Sequence, residues 1–160
     1  MKHFFLLCVG ASLLVSLGCV GKKKPDGLPE LYPTIITITT EGNPLEGASV
    51  VLMPSDPDNR WAAAGITDSS GKAVIRTYAQ FLGAPEGKFK VCVTKTYTDP
   101  SIPLPRPGEP GPLPPSYELV NPKFGRPDKT DFEMEVVAGK KNTETFDVGK
   151  EVKIRSDGNF

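Results

Sequence analysis

Histidine is almost missing from this 160-residue chain, which has only His3. Serine and cysteine nucleophiles are usually activated by an imidazole, and zinc sites usually include one, so beyond residue 3 only carboxylate, lysine or tyrosine chemistry stays open. Cysteine is nearly as scarce. Of the three present, Cys8 lies in an apolar N-terminal run and Cys19 closes that run, which leaves Cys92 with no partner for an internal disulfide. A lone thiol of this kind is expected as a small buried hydrophobe. Net charge is absent as well: 19 basic residues balance 19 acidic ones. Such a balance offers no electrostatic footprint for nucleic acid. The apolar run from Phe4 to Leu17 is diluted by Gly10, Ser12 and Ser16. It falls short of the roughly 20 apolar residues that a bilayer-spanning helix needs.

What does stand at that end is a short charged start, Met1 to His3, followed by a hydrophobic stretch of secretory-signal length. The stretch ends in "VSLGC", which resembles the lipobox of bacterial lipoproteins, where the cysteine becomes the acylated first residue of the mature chain. The resemblance implies that residues 1–18 are a lipoprotein signal peptide and that Cys19 is the lipidation site. Membrane lipid is then a partner through acylated Cys19, and the location is the extracytoplasmic side of an outer or cytoplasmic membrane. An uncleaved signal anchor would instead leave the rest of the chain cytoplasmic, given Lys22, Lys23 and Lys24 just after it. Ordinary cleavage with an idle thiol is the other alternative. Residues 19–33 are expected as the lipidated N-terminus and a flexible stalk, with Pro25, Pro29 and Pro33 opposing helix.

From Thr34 onward the pattern changes to short alternating runs between turn residues. Thr34 to Thr40 ("TIITITT") and Ala48 to Pro54 ("ASVVLMP") are rich in β-branched residues, with "GNPLEG" as the turn between them. "AAAGIT" (62–67) and "KAVIRTY" (72–78) are set to pair as a hairpin, Asp68 opening its turn and Gly71 closing it. In "GKFKVCVTKTY" (87–97), Phe89, Val91 and Val93 share one face while Lys88, Lys90, Cys92 and Thr94 share the other. Should Cys92 keep the lysine face, it is less buried than the general expectation for a lone thiol. Phe132, Met134 and Val136 alternate with Asp131, Glu133 and Glu135, and a tight "AGKK" turn leads to a last strand, "NTETFDV" (142–148), with Phe146 and Val148 inward. One helical turn is possible at Tyr78 to Gly87, cut short by Gly83 and Pro85. About seven short strands without a convincing helix point to an all-β fold, a single antiparallel β-sandwich over residues 34–149 with a long Pro-rich loop. Residues 150–160 read as a polar C-terminal tail.

Three blocks in order, "GNPLEGASVVLMP", "GITDSSGKAVI" and "APEGKFKVCVTK", resemble the core of carboxypeptidase-regulatory-like domains. These are transthyretin-like (prealbumin-like) sandwiches of Greek-key type, common in bacterial surface lipoproteins. The stretch "NPKFGRPDKTDFEMEVVAGKKNTETFDV" is similar to the last two strands of small exported members. The resemblance implies fold and compartment but no reaction, because such domains serve as folding aids, spacers and interaction modules.

Candidate sites are few. Residues 99–115 hold eight of the 17 prolines, so this insertion must be extended. It is either a strip for an aromatic-lined groove on a partner or a stiff connector running from one sheet edge to the other. Asp56 and Asp58 with Asn59, and Asp128 with Asp131, offer oxygen ligands, but without the spacing of a calcium loop; turn chemistry accounts for them. Trp61 stands on the opposite parity from Ile66, so a straight strand would point it outward, to stack on a sugar ring or to cover a loop. Trp61, Asp56 and Asp58 are therefore the possible ligand-binding residues. No catalytic residue, metal or cofactor is selected by any motif. The expected role is non-catalytic, structural or protein-binding, with an envelope protein or polysaccharide as partner. A carbohydrate-binding protein or carboxylate-dependent hydrolase using the rim loops is the competing class.

Overall fold

The computed structural model describes residues 24–102 and 114–156. The signal region, Cys19, most of the Pro-rich insertion and the last residues of the tail lie outside the described residues. Short strands follow the turn residues closely. The first group comprises β1 (Leu31–Tyr32), β2 (Thr34–Thr40), β3 (Asn43–Pro44), β4 (Ser49–Pro54) and β5 (Ala63–Ile66). Next come β6 (Lys72–Val74), β7 (Arg76–Thr77), β8 (Phe81–Leu82), β9 (Ala84–Pro85) and β10 (Gly87–Thr94). The last are β11 (Thr96–Thr98), β12 (Ser116–Glu118), β13 (Glu133–Val136), β14 (Asn142–Asp147) and β15 (Ile154–Ser156). A single 3-10 turn, Pro122–Gly125, precedes β13.

Two sheets face each other. One has the order β13-β10-β4-β5-β7-β8; the other runs β14-β2-β3, with β6 also paired to β2. The first contributes Val50, Leu52, Phe89, Val91, Val93, Met134 and Val136 to the core, the second Ile36, Ile38 and Ala73, all buried. Alternation selects these residues, because successive side chains leave a strand on opposite faces. Each large apolar side chain buried this way contributes roughly 1.5–3 kcal/mol. Phe132 lies between Phe124 and Phe146, with ring centroids 4.5 and 4.8 Å away, and this stack bridges the two sheets at their open side. The all-β sandwich expected from the sequence is the observed fold.

Four details differ from the sequence expectation. The strands are not all antiparallel: β14 pairs with β2 in parallel, Asn142 opposite Thr34 through Asp147 opposite Thr39. Buried Asn142 explains the switch of sheet after β13. Its side chain accepts from the Val137 N–H (2.9 Å) and donates to the carbonyls of Val137 and Lys140, while its own N–H bonds the Pro33 carbonyl (2.8 Å). The 62–67 and 72–78 hairpin also divides. The Asp68 to Gly71 turn forms as expected, but β6 joins β2 whereas β7 joins β5, so the chain changes sheet at Ile75. No helical turn forms at Tyr78 to Gly87, where β8 and β9 stand instead. The tail is partly strand: β15 pairs with β12, which pairs with β11, in a small third sheet.

That third sheet also changes the reading of residues 99–115. Thr98 lies opposite Ser116, so the insertion joins two paired neighbours and is the loop of a hairpin rather than a connector between distant edges.

Candidate functional site

An open cleft of about 500 Å³ lies at the end of the sandwich where β10 begins, lined by Asp56, Asp58, Asn59 and Trp61, by Pro85 and Glu86, and by Pro29, Glu30 and Tyr32. The structure thus brings together all three of the ligand-binding candidates, Trp61, Asp56 and Asp58. The 55–60 loop after β4 is shaped by its own side chains. Asp56 Oδ1 accepts the Asp58 N–H (2.9 Å), the Asp56 carbonyl accepts the Asn59 N–H (3.1 Å), and Asn59 Oδ1 accepts the Trp61 N–H (3.0 Å). This is the turn chemistry that Asp and Asn supply through their short side chains.

Trp61 is corrected in orientation. It does not point outward: only 8% of it is exposed, and it precedes β5 rather than beginning it. The parity relation to Ile66 holds, but Ile66 is itself the outward residue at 70% exposure, while Ala63 faces the core. Trp61, two residues before Ala63, shares its side. The Arg60 guanidinium lies 5.0 Å from the Trp61 ring centroid and the Tyr78 ring meets it edge-on at 5.5 Å. Buried and with the Arg60 guanidinium over its ring, the indole covers the rim and offers the cleft little stacking surface. The Tyr78 contact needs an unusual turn, since Tyr78 and Ala79 both have φ near +55° without being glycine (53° and 55°). Left-handed backbone costs such residues roughly 1–2 kcal/mol each.

The other wall of the cleft was not legible in the sequence, which presents residues 25–33 as stalk. In the structure β1 pairs with β9, placing Leu31 opposite Pro85 and Tyr32 opposite Ala84. Gly83, at φ +101°, lies so close to the Tyr32 carbonyl that a Cβ there would collide with it. The apolar pair Leu31–Tyr32 between two prolines is the only local signal for this docking. The Tyr32 hydroxyl donates to Glu30 Oε2 (3.2 Å). Partial burial, with the Glu30 hydrogen bond and the Glu30 and Glu86 charges, pushes the Tyr32 phenol above its usual range.

Glu30, Asp56, Asp58 and Glu86 make the cleft acidic, yet no group of three or more Asp, Glu, His or Cys among the described residues is arranged to hold a metal ion. The second acidic cluster does not join the first. Asp128 pairs with Arg126 (3.0 Å) and Asp131 with Lys123 (3.0 Å), on the loop beside the opposite half of β10. Hydrogen bonding to the Arg126 guanidinium holds the Asp128 carboxyl below its usual range. Cys92 keeps the lysine face of β10 and is nonetheless buried, at 6% exposure. No helix among the described residues is long and apolar enough to cross a membrane.

Fold and site together define an all-β sandwich with one acidic end cleft. No family model matches the chain, and no characterised protein sequence matches it. Among solved structures, chlorocatechol 1,2-dioxygenase from Pseudomonas putida aligns over 78% of this chain and 60% of its own, at 16% identity and a TM-score of 0.29. A likeness of that size carries no argument about activity.

Proposed function

We propose that the chain is an exported lipoprotein, acylated at Cys19, that presents a carboxypeptidase-regulatory-like sandwich in a non-catalytic structural or binding role at a bacterial cell envelope. The observation that carries this reading is the apolar run that stops at Gly18–Cys19, twelve residues ahead of the point where the chain pairs into the sandwich at Leu31. Each buried acyl methylene contributes about 0.8 kcal/mol, so two or three chains hold a protein at a membrane essentially permanently. Lys22, Lys23 and Lys24 add attraction to anionic headgroups of about 1 kcal/mol each.

The non-catalytic part of the reading is supported by the lack of any histidine after residue 3 and by the burial of Trp61 under Arg60. The acidic cleft is the surface on which a partner or polysaccharide would be sought. Radiolabelled palmitate tests the anchor: incorporation into the parent chain and its loss in Cys19→Ala are expected, and an unlabelled parent overturns the assignment. A glycan array and a hydrolase panel on the soluble chain test the role, with activity in either favouring the carbohydrate-binding or hydrolase alternative.

A further inference from the structure

From Gly27 onward the segment leading to β2 is attached to one end of the sandwich. Leu28 N–H closes a turn on the Pro25 carbonyl (3.2 Å), and Gly27 lies against the Arg60 guanidinium, 3.2 Å from where its Cβ would be. Leu31 and Tyr32 then pair with β9, and the Thr34 hydroxyl donates to the Tyr32 carbonyl (2.9 Å). A free proline-rich stalk would let the domain turn any face to the bilayer. This strap does not. Gly27, the first residue of the strap to touch the body, is eight residues past Cys19, a span of at most about 29 Å.

We infer that the cleft end of the sandwich faces the membrane, held in that orientation by the strap, and that the opposite end points away from it. The inference rests on the anchor at Cys19 proposed above. Glu30, Asp56, Asp58 and Glu86 surround the cleft and repel anionic lipid, so this end stands off the surface rather than inserting. The far end carries the Glu41–Gly42 and Glu46–Gly47 turns and the β11-β12-β15 sheet, because β10 runs from Gly87 beside the cleft to Thr94 and straight on into β11.

Trp61, the chain's one tryptophan, is a native reporter at the cleft end. The full-length acylated chain is placed in vesicles containing a dansylated phosphatidylethanolamine, and energy transfer from Trp61 is compared with transfer from Glu46→Trp in a Trp61→Phe background. The seven steps of β10, at ~3.3 Å each, set the two ends roughly 23 Å apart, so Trp61 should transfer at least about twofold more efficiently than position 46. Gly83→Val, which drives a side chain into the Tyr32 carbonyl, should bring the two signals together. A long Gly/Ser insertion between Cys19 and Lys24 should do the same without touching the folded body, which covers the case in which the glycine variant is unstable. Equal transfer from both probes in the parent, or stronger transfer from position 46, overturns the orientation. A chain that fails to float with vesicles overturns the anchor and the orientation with it, whereas flotation with equal transfer overturns the orientation alone.

Discussion

Cys92 shows how a side chain can take the solvent-facing side of a strand and still be buried. It shares the face of Lys90 and Thr94, and the loop carrying Asp128 passes near it. Burial, reinforced by the Asp128 charge, pushes its thiol above the usual range. The thiolate is the reactive form, so native Cys92 should alkylate far more slowly than the same residue in denaturant, as read by peptide mapping after iodoacetamide. Equal rates in the two states would contradict the burial. Thr67 is the counterpart among buried polar residues: its hydroxyl donates to the Leu45 carbonyl (2.6 Å) and accepts the Ala48 N–H (2.8 Å). Thr67→Val preserves the shape and leaves both backbone groups without that partner, so denaturant unfolding should show a loss of about 2 kcal/mol. At this scale the alternation in β10 and β13 was readable from the sequence, and so was the burial expected of a lone thiol at Cys92; that a residue on the lysine face could be buried was not, because alternation within a strand does not show what packs over it.

Among the elements, β14 depends most on contacts made elsewhere. Its last residue, Asp147, accepts the Thr39 hydroxyl (2.7 Å), the Gly42 N–H (2.8 Å) and the Gly149 N–H (2.7 Å), joining β14 to the β2–β3 turn. The Gly42 hydrogen bond, then those from Thr39 and Gly149, hold its carboxyl below the usual aspartate range. A depressed folded-state value means that the contribution is complete above the unfolded value of about 4 and is lost as pH falls through the folded one. Asp147→Ala should therefore melt below the parent at neutral pH, with the gap narrowing as the pH falls below the unfolded value and through the lower folded one. A gap that persists in acid would place the effect in packing rather than charge. The strand itself was visible in "NTETFDV", but not its parallel partner. A tight turn after β13 suggests a hairpin, and only the bonds of buried Asn142 to Val137 and Lys140 turn the chain toward β2.

For the molecule as a whole, residues 99–115 close a hairpin between β11 and β12. Replacing residues 100–114 with a short Gly-rich turn should leave the melting temperature within about 3 °C of the parent, because a loop between paired neighbours adds little once its ends are held. A larger fall would give the insertion a packing role. The N-terminal strap has the opposite character: read as a spacer, it forms a wall of the cleft and a strand of the body.

The sequence alone determined the material: alternating β-branched and aromatic runs between Gly, Pro, Asn and Asp commit the chain to extended segments with one greasy face, a local property of the backbone. Only the tertiary structure decided which segments pair. It set β14 beside β2, divided the 72–77 run between two sheets, buried Trp61 under Arg60 and Tyr78, and laid Leu31 and Tyr32 along Gly83. Partner choice depends on groups distant in sequence, an Asn side chain here and a missing Cβ there, and alternation within a strand carries no record of them.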